Sequence, residues 1–128
     1  MIQSRKESDL TADNFRQMAL GYPGAVESAH MNHPDFRING KIFATLGVPD
    51  DGCAMVKLTP EQQQSFMRES PRVLYPCSGA WGRGGATHVH LASVQQDVVR
   101  AALDSAFQNV TAKTKKKNAI RSRDGRRT

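Results

Sequence analysis

Long apolar runs are missing from this chain of 128 residues, and so are most marks of a secreted protein. A helix that spans a bilayer needs roughly 20 apolar residues, whereas the apolar runs here are only a few residues long. The N-terminal stretch MIQSRKESDL is polar and lacks the hydrophobic region of a secretory signal. The two cysteines, Cys53 and Cys77, are not in Cys-x-x-Cys spacing. We therefore expect a cytoplasmic location, reduced thiols and no membrane partner.

Signatures of catalysis and of metal binding are also absent from the sequence. There is no Gly-x-Ser-x-Gly nucleophile motif. His30 with His33, and His88 with His90, invite a metal site, but a zinc or iron centre needs three or four converging ligands. No carboxylate or thiolate at a suitable spacing completes either pair. We expect ordinary polar or solvent-facing histidines, no metal, no cofactor and no catalytic residue.

Positive charge is concentrated at one end of the chain, although the whole carries a net charge of +6. Residues 113–128 hold eight Lys and Arg against Asp124, for a net charge of +7. The remaining ten cations and eleven acids leave residues 1–112 at −1. The tail lacks apolar periodicity, so we predict that it is disordered. It would attract DNA or another polyanion by releasing counterions, although a merely solubilising extension has the same composition.

Glycine is concentrated between Ser78 and Ala86, around Trp81. Successive backbone N–H groups in such a loop can form an anion-binding nest. A phosphate loop has Gly-x-x-x-x-Gly-Lys-Ser/Thr spacing and runs into a helix, whereas this stretch lacks the lysine and runs into a predicted strand. Two interpretations stay open: a flexible connection with Trp81 folded onto the core, or a mobile loop that presents Arg83 as an exposed cation.

The stretch DFRINGKIFATLG, residues 35–47, predicts a β-hairpin. Asn39-Gly40 tolerates the positive φ angles that a type I′ turn needs, and β-branched and aromatic residues flank it. With a two-residue turn, Phe36 faces Phe43 across the ladder on one face. The opposite face then carries Ile42, Ala44 and Leu46.

Capping signals predict three helices, at 11–20, from 59 to just before Pro71, and from 93 to about Val110. Residues 27–32 are predicted to start an irregular first strand that is interrupted near His33-Pro34 and leads into the hairpin. The hairpin's return arm is then the second strand, 53–58 the third, and further strands are predicted at 73–75 and 87–91. The fold class is α+β, two-layer, with a mainly antiparallel sheet, helices on one face, and the order α-β(3)-α-β(2)-α. Residues 1–112 are predicted to form a single domain, followed by the basic tail 113–128.

Several short segments carry a family resemblance. They are PGAVE at 23–27, FR at 36–37, GKIFA at 40–44, KL at 57–58, WGR at 81–83 and THVHL at 87–91. Over about residues 11–112 the chain resembles the MmcQ/YjbR family of small bacterial proteins, with GKIFA and WGR as the most specific parts. The resemblance implies a CyaY-like or secretion-chaperone-like α+β fold. Members are commonly labelled DNA-binding, and no agreed catalytic residues exist to carry over.

Our leading hypothesis is non-specific nucleic-acid binding through phosphate contacts, without catalysis. The residues assigned to it are Arg37, Lys41 and Arg83 of the body and Lys113, Lys115, Lys116, Lys117, Arg121, Arg123, Arg126 and Arg127 of the tail. The alternative is a protein–protein interaction module, in which the sheet face with Ile42, Ala44 and Leu46 docks a protein partner or a second copy of the chain.

Overall fold

The computed structural model describes residues 10–30, 32–47 and 52–124, with side chains up to residue 111. The described residues form four helices and six strands. The helices are α1 (Ala12–Leu20), α2 (Pro60–Glu69), α3 (Gly79–Arg83) and α4 (Gln96–Asp124). The strands are β1 (Val26–His30), β2 (His33–Ile38), β3 (Lys41–Leu46), β4 (Cys53–Lys57), β5 (Leu74–Pro76) and β6 (Ala86–His90).

The six strands form one open antiparallel sheet in the order β1-β2-β3-β4-β6-β5. The predicted α+β class is therefore confirmed. Four strands precede α2 instead of three, because the chain reverses at Asn32, where φ is 68°, and separates β1 from β2. The short helix α3 between β5 and β6 was not predicted.

One face of the sheet packs against α1 and α4 and forms the main core. The apolar stripe predicted for the last helix is buried there and consists of Val99, Ala102, Leu103 and Ala106, with Val110 partly buried. Phe107 stacks on Tyr22 with ring centroids 4.9 Å apart, and both rings meet Phe43 edge-on. An aromatic cluster thus joins α4, the segment after α1, and β3.

The central hairpin turns at Asn39-Gly40 as predicted, with φ angles of 52° and 80°. Ile38 pairs with Lys41 as a two-residue turn requires. The register then shifts, so that Phe36 pairs with Ala44 and not with Phe43. Phe43 is therefore the extra residue of a β-bulge, and the predicted direct Phe36–Phe43 pair is wrong, although both rings lie in the main core.

The bulge changes which residues share a face of β3. It directs two successive residues, Phe43 and Ala44, into the main core, and Leu46 follows them. Ile42 instead packs near Met55 on the other side of the sheet. The prediction that Ile42, Ala44 and Leu46 share one face is therefore wrong, and two of the three are buried beneath the helices.

Helices α1 and α2 begin at the predicted caps, Thr11 and Thr59, each in a reciprocal capping box. Helix α4 ends at Asp124, well past the predicted end near Val110. Its backbone is helical where the sequence predicted disorder, since residues 111–124 contain no Gly or Pro and are rich in Lys and Arg. The division into a domain 1–112 and a tail 113–128 stays a prediction. Within the described ranges, no helix is both long and apolar enough to cross a membrane.

Two glycines with positive φ allow a direct test of backbone packing. At Gly85, where φ is 113°, an added Cβ would lie 1.9 Å from the carbonyl oxygen of Leu58. At Gly24, where φ is 80°, an added Cβ would meet no atom of the described residues within 4 Å. We expect Gly24→Ala to lower the free energy of unfolding by about 1–2 kcal/mol, the cost of a left-handed conformation, and Gly85→Ala to lower it by clearly more. Urea denaturation measures both, and equal losses would contradict the close approach at Leu58.

Candidate nucleic-acid interface

The second face of the sheet, opposite α1 and α4, carries a row of mostly polar side chains. Six paired residues cross all six strands: Ser28, Asp35, Thr45, Met55, His88 and Tyr75. Directly paired residues of antiparallel strands project to the same side, so they form one continuous line. Met55 packs with Cys77 and Ala86 in a small second cluster. This row is therefore separate from the main core.

Asp35 lies in this row with a fully buried side chain. Arg37 donates to its carboxylate from Nε at 2.7 Å and from Nη2 at 3.1 Å, and His30 Nδ1 lies 2.7 Å from Oδ2. The hydrogen bond from Arg37 is the main reason that the pKa of Asp35 is below its usual value, and His30 acts in the same direction against the effect of burial. The carboxylate therefore stays charged at neutral pH and fixes the orientation of Arg37.

The glycine-rich segment matches neither predicted interpretation in full, although Arg83 is exposed as the second one expects. It contains the short helix α3, and Trp81 is half exposed at its surface, not folded onto the main core. The glycines permit close contact: an added Cβ at Gly82 would lie 1.7 Å from the Cys77 carbonyl oxygen. Gln63 Nε2 of α2 lies 3.0–3.1 Å from three acceptors, including the carbonyl oxygens of Gly82 and Ala86. A buried amide thus holds this segment against the sheet.

An open groove of about 750 Å³ lies beside α3, and we call it the basic groove. Arg37, Lys41 and Lys57 line it together with Trp81, and no acidic residue is among its described lining residues. Lys57 Nζ lies 5.6 Å from the centroid of the Trp81 ring, within cation–π range. Residues 108–110 of α4 also line the groove, and Asn109 donates to the carbonyl oxygen of Lys57 at 2.9 Å.

A smaller space of about 210 Å³, the side cavity, lies on the second face and shares Trp81 with the basic groove. Its other walls are His30, Thr45, Met55, Cys77, Ser78 and His88. Burial raises the pKa of the Cys77 thiol to about 11, so this sulfur is neutral at physiological pH. The cavity therefore offers hydroxyl, imidazole and aromatic groups without a thiolate.

The histidines differ in their surroundings. His88 is buried, and its ring lies 5.2 Å from that of Tyr75. The prediction that it faces solvent is wrong, because its ring packs beside Tyr75 and lies in the lining of the side cavity with Cys77 and Ser78. His90 is exposed, as predicted. The part of the chain that the structure describes contains no group of three or more His, Cys, Asp or Glu able to hold a metal ion.

The structure brings together two of the three body cations assigned to nucleic acid. Arg37 and Lys41 line the basic groove. Arg83 is exposed on α3 but is not among the groove residues. The tail cations lie where side chains are not described, so their roles stay predictions. Sequence analysis did not identify Lys57 as a site residue, although its position two residues after Met55 in an alternating strand places both side chains on the same face. It also did not identify the buried Asp35, because no sequence pattern distinguishes this residue.

Comparisons with known proteins agree on a family and a fold. A family model described as YjbR matches residues 20–109. A solved structure of Deinococcus radiodurans protein DR2400, with a DUF419 domain, is similar at a TM-score of 0.70 and 18% sequence identity. The match covers 82% of this chain and 81% of that one. No curated protein matches significantly.

Asp35 supplies a pH-dependent test of the second face. The pKa of Asp35 in the folded protein lies below its value in the unfolded chain, which is near 3.9. Its ionised carboxylate therefore stabilises the fold at pH values above about 3.9, and this stabilisation is lost as the pH falls through the lower, folded-state pKa. We expect Asp35→Asn to lower the free energy of unfolding at pH 7 by about 1–3 kcal/mol. The difference from wild type should shrink below about pH 4. The exposed Glu69 supplies a control, Glu69→Gln, with little effect. A difference independent of pH would contradict the ionic role of Asp35.

Proposed function

The chain belongs to the YjbR family, and from that premise we propose that it is a cytoplasmic protein that binds nucleic acid through phosphate contacts. The contacts are sequence-independent and no catalysis is involved. The supporting observation is the basic groove, in which Arg37, Lys41 and Lys57 converge without an acidic neighbour among the described lining residues. Cations on one concave surface are the electrostatic footprint of a nucleic-acid site.

The three groove cations do not contribute equally. Arg37 is already paired with the buried Asp35 carboxylate, so much of its charge is balanced. Lys41 is exposed and Lys57 is partly buried, with its ammonium group near Trp81. The proposal therefore assigns most of the attraction for phosphate within the groove to Lys41 and Lys57, and a positioning role to Arg37.

Helix α4 connects the groove with the tail. Residues 108–110 form one wall of the groove, and the helical backbone continues to Asp124. At a rise of about 1.5 Å per residue, Lys113 follows Val110 by about 4.5 Å along the helix axis. The net charge of +7 in residues 113–128 thus begins within one turn of the groove, which supports a shared phosphate-binding surface.

The proposed division of affinity follows from the charges. Affinity without base readout scales with the number of phosphates neutralised, and the tail holds eight cations while residues 1–112 carry −1 overall. We expect a chain ending at Ala112 to stay folded yet lose most duplex affinity, at least about tenfold at 50 mM salt. Full-chain binding should fall steeply between about 50 and 200 mM salt and differ little between unrelated duplexes. Fluorescence anisotropy with labelled duplexes measures both, while circular dichroism checks folding.

A shortened chain that binds as well as the full chain would place the contacts on the folded body and contradict the tail assignment. A full chain that binds neither a duplex nor a single strand at about 50 mM salt would contradict nucleic-acid binding itself, since phosphate attraction is strongest at low salt.

The groove is tested separately by charge reversal in the full chain. We expect Lys41→Glu to weaken duplex binding by about threefold to tenfold and to reduce the salt dependence by about one phosphate contact. Arg72 is also exposed but lies outside the groove, so Arg72→Glu makes the same change in net charge at a control position. Equal effects of the two variants would show that overall charge matters and the groove does not.

A further inference from the structure

We propose that the side cavity binds one unpaired nucleobase of a strand whose phosphates lie in the basic groove. The inference rests on the proposed function and adds to it the state of the nucleic acid: single-stranded or locally unpaired at this point. Two features carry it, namely the hydrogen-bonding chemistry inside the cavity and its junction with the groove.

The size of the cavity selects a single ring system. A cavity of about 150 Å³ lined by apolar side chains takes up one benzene ring. The side cavity measures about 210 Å³, which accommodates one nucleobase but excludes a base pair. Because a base inside a duplex is covered by its stacked neighbours, only an unpaired or extruded base can enter such a space.

Thr45 supplies the polar contact. The residue is only 2% exposed, and its hydroxyl oxygen is buried with no hydrogen-bond partner among the residues that the structure describes. Buried polar atoms in this condition are rare in folded proteins and call for an explanation. Thr45 lines the side cavity, and a hydroxyl can donate to or accept from the edge of a base. The Ser78 hydroxyl and the His88 ring lie in the same wall.

Trp81 joins the cavity to the groove. It lines both spaces and is 51% exposed, while the ammonium group of Lys57 lies near its ring on the groove side. Proteins that bind single strands commonly combine a cationic track for phosphates with an aromatic ring for a base. Here the two parts are adjacent, so a strand following Lys41 and Lys57 can turn one base past Trp81 into the cavity.

The test compares two strands of equal charge with the full chain at about 50 mM salt. One is an oligothymidylate of about twelve nucleotides, and the other is an abasic strand of the same length. Both offer the same phosphates, but only the first offers bases. We expect the oligothymidylate to bind at least about fivefold more tightly, the effect of one stacked base.

Two matched variants locate the effect. Ser78 is exposed at the cavity wall and makes no side-chain cap to α3, so Ser78→Phe should block the cavity without disturbing the core. It should abolish the preference for thymidylate and leave abasic binding unchanged. Ala80 is exposed on the same helix but lines neither space, and Ala80→Phe should keep the preference. If Ser78→Phe fails to fold, Thr45→Val replaces it, since it removes a hydroxyl that has no partner within the described ranges.

The outcomes separate this inference from the proposed function. Equal binding of both strands by the wild type, or an unchanged preference in the blocked variant, would overturn the base site and leave phosphate binding intact. If neither strand binds, the proposed function is wrong. A titration with uncharged thymidine then tests whether the side cavity binds a base in the absence of phosphate contacts. Amide shifts at Thr45 and Met55 in the NMR spectrum would then support a base site, and their absence would overturn it.

Discussion

The extra residue in β3 governs which side chains reach the helices and which reach the second face. With Phe43 inserted into the ladder, two successive residues contact the main core, and Phe43 meets Tyr22 and Phe107. The alternation then resumes one step out of phase. Thr45 consequently lies in the row with Asp35 and Met55. Both the aromatic cluster that holds α4 and the lining of the side cavity depend on this register.

The sequence predicted those parts of the fold that depend on interactions between residues close together in the chain. The turn at Asn39-Gly40, the two threonine caps and the core stripe of the last helix each follow from residues close together in sequence. The β-bulge at Phe43 was not predicted, because no residue type marks it and the same sequence is equally compatible with a strand of regular alternation. Helix α3 was not predicted because glycine usually signals a turn, whereas Gly82 within this helix and Gly85 just after it allow close approach to the backbones of Cys77 and Leu58.

The sequence identified only part of the candidate site. Arg37 and Lys41 were identified as cations near a predicted hairpin, and the structure adds Lys57 from β4 and the wall of α4. The buried Asp35 was not anticipated, because its pairing with Arg37 and His30 depends on strand register. The similar fold of a protein with only 18% identity shows that this scaffold tolerates wide sequence change, so the surface chemistry of each member has to be derived from its own residues.

The half-exposed position of Trp81 has a spectroscopic consequence. It is the only tryptophan in the chain, and it lies between the groove and the cavity. All of the indole emission of the protein therefore comes from this one location, next to the ammonium group of Lys57. Any molecule that covers the ring or displaces that lysine changes the dielectric environment of the indole. The protein thus contains its own fluorescent reporter of occupancy, and no label is needed to observe binding there.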